Sequence, residues 1–303
     1  MPEPTVSVVV PAYNAAAFIE KTLDTVQAQT YRDWELVVVD DGSTDGTADV
    51  VDRWLAKHGA PGRCIRQPNG KIAAARNTGM KQASGRYVAL LDHDDLWKPE
   101  KLAVVMREFE KHPEADLVCH NEDIVKDGKL IRTSTNGPYC ERMYERLLWV
   151  GNALSPSATV FKKEKALSIG GMRENAEFNT VEDYDFWMRL SKVARYHFLD
   201  RVLGEYQLVE RAASRRIEYH HGNLEALLKD HFRAAFGESP SLAARLKMRR
   251  RLGLVYRSAL GQLMQYRESP ELQRRYVGEM LATCPWDPKN IARAMLWAMG
   301  KGR

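Results

Sequence analysis

No apolar run in the 303 residues approaches the roughly 20 that a membrane-spanning helix needs. The first seven residues carry no cationic stretch ahead of an apolar one, so no secretory leader is expected. Cysteine is scarce: Cys64, Cys119, Cys140 and Cys284 stand far apart and form no CxxC pair. That spacing excludes a zinc-finger framework and points to free thiols in a reducing compartment. No GxGxxG follows the first strand-like run, which removes the fingerprint of a nicotinamide dehydrogenase. Internal repeats and low-complexity segments are also missing. The expectation is a cytoplasmic globular chain, with peripheral contact at the inner face of the membrane as a further option.

Charge is present in both signs but unevenly spread. From Arg211 to Arg303 there are 18 Lys and Arg against 8 Asp and Glu, and the rest of the chain holds 27 against 32. Such asymmetry suggests different partners for the two parts. The expected division is a nucleotide-sugar-binding and catalytic domain over residues 1–210 and a basic, mainly helical region over 211–303. The basic tail suits an anionic surface, and it suits an ordinary solvated face equally well.

The first third alternates strand and helix. Val6 to Val10 is a β-branched run suited to a strand buried on both faces, ended by Pro11. Asn14 is the expected N-cap of the helix that follows. Further strands are expected at Glu35–Asp40, Cys64–Arg66 and Tyr87–Leu91, with Pro99 opening a helix at its first position. Later strands are expected at Asp116–Val125, Ala158–Lys162 and Tyr196–Gln207, and helix dominates after about residue 215. Short links between alternating elements imply a mostly parallel sheet with helices on both faces. In such sheets ligands sit outside the carboxyl ends of the strands. Tyr13 and Asn14, Asp40 and Asp41, and Asp92 to Asp95 all fall at those ends.

Asp92-His93-Asp94-Asp95 crowds three carboxylates behind a buried strand. Unpaired carboxylates repel, so a cation is expected among them. Mg²⁺ or Mn²⁺ takes such oxygen donors together with substrate phosphates. A helix-capping role is the competing reading. Asp40 and Asp41 can accept hydrogen bonds from a base or a ribose, or can build an Asx turn. Glu182-Asp183 opens a helix, where the dipole favours the ionised form that a general base needs. A helix cap explains that pair as well.

The segments Val8-Val9-Val10-Pro11-Ala12-Tyr13-Asn14, Trp34 to Ser43, Asn69-Gly70, Ala75-Arg76-Asn77-Thr78-Gly79, Leu91 to Asp95 and Glu182 to Trp187 together resemble the family 2 glycosyltransferases of the GT-A fold. The resemblance covers Val6 to Gln207. It implies that Pro11, Tyr13 and Asp41 contact the nucleotide, with Asp40 in support and Lys71 and Arg76 near the base or diphosphate. It implies a DxD motif at Asp92 to Asp94, with Asp94 on the metal and Asp92 near both metal and donor sugar. Asp183 is the implied general base, assisted by Glu182. The implied reaction is metal-dependent transfer with inversion, from a nucleotide-diphospho-sugar (a UDP-sugar first) to a hydroxyl of a glycan or lipid-linked acceptor in surface polysaccharide synthesis. Lys71 stands where the family often has a second glycine. Val209 stands where many relatives have a histidine, with His220 and His221 nearby in sequence. The expected partners are the donor and the acceptor, with membrane contact through Arg249 to Arg251, Trp286, Leu296 and Trp297, or a homo-oligomer. A nucleic-acid partner is not expected. A non-catalytic nucleotide-binding module of the same fold is the alternative, and a nucleotidyltransferase a lesser one.

Overall fold

The valine run at the start forms β1 (Val6–Ala12), which is buried at all seven positions. In the computed structural model, residues 4–208, 217–266 and 269–300 are described. After β1 come α1 (Ile19–Gln27), β2 (Trp34–Asp40), α2 (Thr47–His58), β3 (Gly62–Arg66), α3 (Lys71–Gln82) and β4 (Tyr87–Leu90). The chain continues through β5 (Leu96–Trp97), α4 (Lys101–Lys111), β6 (Leu117–Lys126), β7 (Lys129–Ser134) and α5 (Met143–Trp149). It then forms β8 (Thr159–Lys162), α6 (Lys163–Ser168), α7 (Glu182–Leu190) and β9 (Tyr196–Gln207). Four longer helices follow: α8 (Ile217–Phe236), α9 (Leu242–Gln265), α10 (Pro270–Thr283) and α11 (Pro288–Ala298).

The sheet runs β3-β2-β1-β4-β8-β6-β9-β5, with β7 paired to β6. It is parallel from β3 to β4. Beyond β4 it becomes mixed, because β8 runs antiparallel to both β4 and β6. Strands β6 and β9 are parallel, and β5 is antiparallel to β9. β1, β4, β6 and β9 therefore all point the same way, and their carboxyl ends share one edge. Gly79 lets α3 lie close on this sheet: a Cβ there would meet Val9 Cγ1 at 2.3 Å.

Contact density divides the chain into two compact units. The first comprises Met1–Leu147, Gly151–Glu174 and Glu182–Glu210 and carries the sheet. Its core is built from residues such as Val8, Val38, Leu23, Trp54 and Leu102. The second comprises Leu148–Val150, Asn175–Val181 and Arg211–Arg303. It has a core of its own, around Tyr256, Leu260, Leu263, Tyr276 and Met280. Among the described residues, no helix is long and apolar enough to cross a membrane.

Three local expectations are corrected. Asn14 is not an N-cap: α1 starts at Ile19 behind Phe18, and Asn14 has a φ of 50°. It instead joins two loops: its backbone N–H donates to Ser43 Oγ at 2.9 Å and its side-chain Oδ1 accepts from the Thr44 N–H at 2.9 Å. Pro99 is not the first helical residue, because α4 begins at Lys101. Its carbonyl accepts from the Thr30 N–H at 2.8 Å. The β6–β7 hairpin was not expected. Its Asp127-Gly128 turn has φ values of 50° and 74°, the left-handed pair that a two-residue hairpin loop requires.

Candidate active site

The loops at the carboxyl ends of β2 and β3 are fixed by the aspartates that the sequence singles out. Asp41 is buried, and its Oδ1 accepts from Gln67 Nε2 at 2.7 Å and from the Gly70 N–H at 2.9 Å. Asp40 is also buried, and its Oδ1 accepts from the Ser43 N–H at 3.2 Å, an Asx-type contact. Pro11 is buried in β1, and its carbonyl lies 3.0 Å from His93 Nδ1. Tyr13 is 49% exposed, so its ring is open to a ligand. Lys71 is exposed and adopts a φ of 71°, the region that favours glycine. The backbone at this position therefore has the conformation a glycine would supply, with an ammonium added.

The acidic turn behind β4 separates its three carboxylates. Asp95 is fully buried and serves the framework: its Oδ2 accepts from Ser157 Oγ at 2.6 Å and its Oδ1 from the Gln207 N–H at 3.0 Å. Ser157 Oγ in turn accepts from the Asp92 N–H at 3.0 Å. Asp92 Oδ1 takes Arg76 Nη2 at 2.7 Å. Asp94 is half-buried. Burial, with the charge of Asp92 adding to it and His93 opposing it, holds the Asp94 carboxyl above the usual aspartate range. Burial pushes Asp95 well up, with Glu122, Asp92 and Asp94 adding to it.

Arg76 joins this turn to the second acidic pair. Its side chain is 2% exposed, and Nη1 donates to Glu182 Oε1 at 2.8 Å. Both ends of the guanidinium fork are thus engaged by acids on different elements. Glu182 is buried, and Asp183 beside it is half-buried at the start of α7. Asn152 Nδ2 donates to Asp183 Oδ2 at 3.3 Å. Burial raises the carboxyls of both Glu182 and Asp183, and Arg76 opposes that shift without cancelling it. The charge of Asp92 reaches Asp183 as well, so the two acidic pairs share one electrostatic site.

The donor set fits a hard divalent ion. Asp92 and Asp94 offer carboxylate oxygens, the ligand type that Mg²⁺ and Mn²⁺ prefer. Burial, with the charge of Asp92 adding to it, disfavours the ionised form of Asp94, and a bound cation would offset both. A different group, Glu108, His112 and His197, brings three ligand atoms within 4.8 Å of one another. It lies at the end of α4 and the start of β9, on the edge of the sheet opposite the carboxyl ends that carry the acidic turn.

Several partners escaped sequence reading. Asn152, Ser157 and Gln67 have no motif that marks them, and only the fold brings them to the acids. Behind the turn, Lys101 and Glu122 are buried, with Nζ and Oε1 lacking hydrogen-bond partners. The Lys101 ammonium lies 3.4 Å from the centroid of the Trp97 ring. His220 and His221 are half-buried and buried rather than surface residues. Their Nδ1 atoms lie 3.1 Å from Thr180 Oγ1 and 2.9 Å from the Ile217 carbonyl oxygen, all within the second unit. Val209 lies outside the described residues.

The chain is 32% identical over 232 residues to a chondroitin synthase of Pasteurella multocida (strain Pm70), covering 76% of this chain and 22% of that protein. It spans between a fifth and about a quarter of the length of the first curated relatives it matches. Among solved structures, S. aureus TarS 1–349 in complex with UDP superposes with a TM-score of 0.64 at 18% identity, covering 98% of this chain and 92% of that one. The mannosyltransferase PcManGT from Pyrobaculum calidifontis, in complex with GDP-Man and Mn²⁺, gives 0.59 at 23% identity, covering 99% and 86%. At these identities the two structures establish the fold. The sequence pattern described as Glycosyl transferase family 2 matches residues 7–169, more than half of the chain, and the chain belongs to that family.

Proposed function

We propose that this chain transfers a sugar, with inversion, from a nucleotide-diphospho-sugar to a hydroxyl of a glycan or lipid-linked acceptor in surface polysaccharide synthesis. The observation that carries the reading is the Arg76 bridge, which ties Asp92 of the donor-side turn to Glu182 beside the base. In this reading Pro11, Tyr13 and Asp41 hold the nucleotide, with a uridine base as the first choice, since the TarS neighbour was solved with UDP. Asp40 supports the loop, and Lys71 reaches the diphosphate. Arg76 is too buried to touch the donor and acts on it through Asp92. Asp183 accepts the proton of the acceptor hydroxyl, and Glu182 keeps Arg76 and Asp183 in register. Asp94 and Asp92 would hold Mg²⁺ or Mn²⁺, which when bound supplies charge neutralisation at the departing diphosphate. Fixing donor and acceptor on one rigid edge converts a bimolecular encounter into a near-unimolecular step.

Calorimetric titration with UDP, GDP and dTDP, each with Mn²⁺ and with EDTA, tests the donor site. One nucleotide should bind in a metal-dependent way. Asp94→Ala should weaken that binding about tenfold or more, a loss of roughly 1.4 kcal/mol or greater, with no change in EDTA. Folded protein that binds none of the three with metal present would sink the reading.

The second unit provides a surface for membrane contact in the same proposal. On α11, Ile291, Met295 and Leu296 are exposed, as is Met299 at its C-cap. An apolar helix face in a basic region suits an anionic leaflet. Arg249 and Trp297 are partly committed elsewhere: Arg249 donates to the carbonyls of Thr283 and Ala282, and Trp297 Nε1 to Gln273 Oε1. The expectation is co-sedimentation with phosphatidylglycerol vesicles that Met295→Glu reduces severalfold. Equal sedimentation of both proteins would remove α11 from the contact.

A further inference from the structure

We propose that the second unit holds a binding site for an anionic saccharide. The unit contains a cavity of about 640 Å³, within the range that takes small ligands. Five cations line it, and Asp287 is the one carboxylate in its wall. A concave wall of one sign focuses its field inward and raises the local concentration of the opposite charge.

The cations divide into those already committed and those left for a ligand. Arg251 is buried, and its Nε donates to the Leu148 carbonyl at 3.1 Å. Arg257 donates to Asn290 Oδ1 at 2.9 Å and lies 3.4 Å from Asp287 Oδ2, so it answers the one acidic charge. Asp287 also accepts from the Lys289 N–H at 2.9 Å, as the cap of α11. The Lys247 ammonium sits 4.2 Å from the centroid of the Trp149 ring, which is itself stacked on Phe232 at 5.3 Å. The side chains of Arg250 and Lys289 are exposed and make no hydrogen bond or ion pair among the described residues. An arginine fork matches a carboxylate or a phosphate, and a lysine adds a mobile point charge.

The aromatic content of the wall points to a sugar rather than a bare anion. Trp286 is 46% exposed, with the Arg249 guanidinium 4.9 Å from its ring centroid. An exposed indole plane beside free cations offers a C–H face of a saccharide ring apolar contact while its anionic substituent meets Arg250 and Lys289. A lipid headgroup layer is flat and does not call for a cavity. A nucleotide has its proposed place at the carboxyl ends of the strands in the first unit.

The test is calorimetry on the full chain with four probes: hexagalacturonate, glucose 1-phosphate, maltohexaose and inorganic phosphate. Arg250→Glu with Lys289→Glu is the variant, since both side chains are exposed and unpaired. At least one anionic sugar should bind more tightly than maltohexaose and inorganic phosphate. The double variant should lose about tenfold or more of that affinity, with melting temperature and UDP binding unchanged. The preferred anionic sugar then shows whether the site takes a carboxylate or a phosphate. Equal binding of maltohexaose, equal binding by the variant, or no binding of either anionic sugar would overturn the proposal. Variant-sensitive binding seen only with phosphatidylglycerol vesicles would overturn it too, making the wall a membrane contact. UDP titration of the unaltered chain reports separately on the transfer reading, so failure of one is not failure of the other.

Discussion

Asp183→Asn should lower sugar transfer by about a thousandfold, in the range that a positioned general base contributes. Nucleotide affinity should stay nearly the same. The amide is close to isosteric and can still pair with Asn152, which donates to Asp183 Oδ2 in the native chain. What it cannot do is accept a proton. The pH profile gives an independent readout. Burial raises the Glu182 and Asp183 carboxyls, so the ionised base is lost at a higher pH than for an ordinary carboxylate. The acidic limb of the rate profile should therefore sit above the usual aspartate value of about 3.9, with activity rising as pH rises through it. Steady-state rates and a UDP titration on the same preparation decide the matter. Turnover within threefold of the native chain would remove Asp183 from the chemistry. Loss of turnover and UDP binding together would make it a helix cap.

Arg76→Met should destabilise the fold by about 3–5 kcal/mol, the cost of stranding a buried partner of an ion pair. Methionine fills much of the same space, but Glu182 is then left buried with no cation, and Asp92 loses its contact at Oδ1. Arg76→Lys should recover only part of the loss, because one ammonium cannot span both acids as the fork does. The pH dependence has a definite sign. Removing the cation raises the folded-state Glu182 carboxyl further, so the folded variant holds a proton that the unfolded chain has released. Its stability then falls as pH rises above the ordinary glutamate value of about 4.3; because the native Glu182 is itself raised to about 7, the deficit against the native chain opens as pH rises through that value and is smaller at pH 4. Urea unfolding at pH 4 and pH 8 measures both terms. A deficit under about 1 kcal/mol at pH 8, the scale of an exposed pair, would mean that the bridge is not structurally important.

The sequence by itself determined the strand–helix alternation of the first unit and the edge of the sheet where the acids gather. Those features are local. A β-branched run such as Val6–Val10 is buried wherever it lies in a parallel sheet, and short links leave little freedom in the crossings. Asp40 ends its strand, and Asp41 and Asp92 to Asp95 come just after theirs, so their placement came with the strands. The β6–β7 hairpin was not expected, although its Asp127-Gly128 dipeptide suits a two-residue loop. The roles of Asn14 and Pro99 were not legible either, because a capping residue in sequence can equally bridge two loops once the loops meet.

The tertiary structure decided which of the three acids in the turn is committed to the framework. Asp95 is held by Ser157 and Gln207, 62 and 112 residues away, and no local pattern links them. The same holds for Arg76, whose partners Asp92 and Glu182 lie 16 and 106 residues along the chain. Composition gave the second unit its basic character, but only folding turned five of its cations into one cavity wall. Local propensity fixes what a segment forms. Pairing energies between distant buried groups depend on distance and burial, and those exist only after the chain has closed.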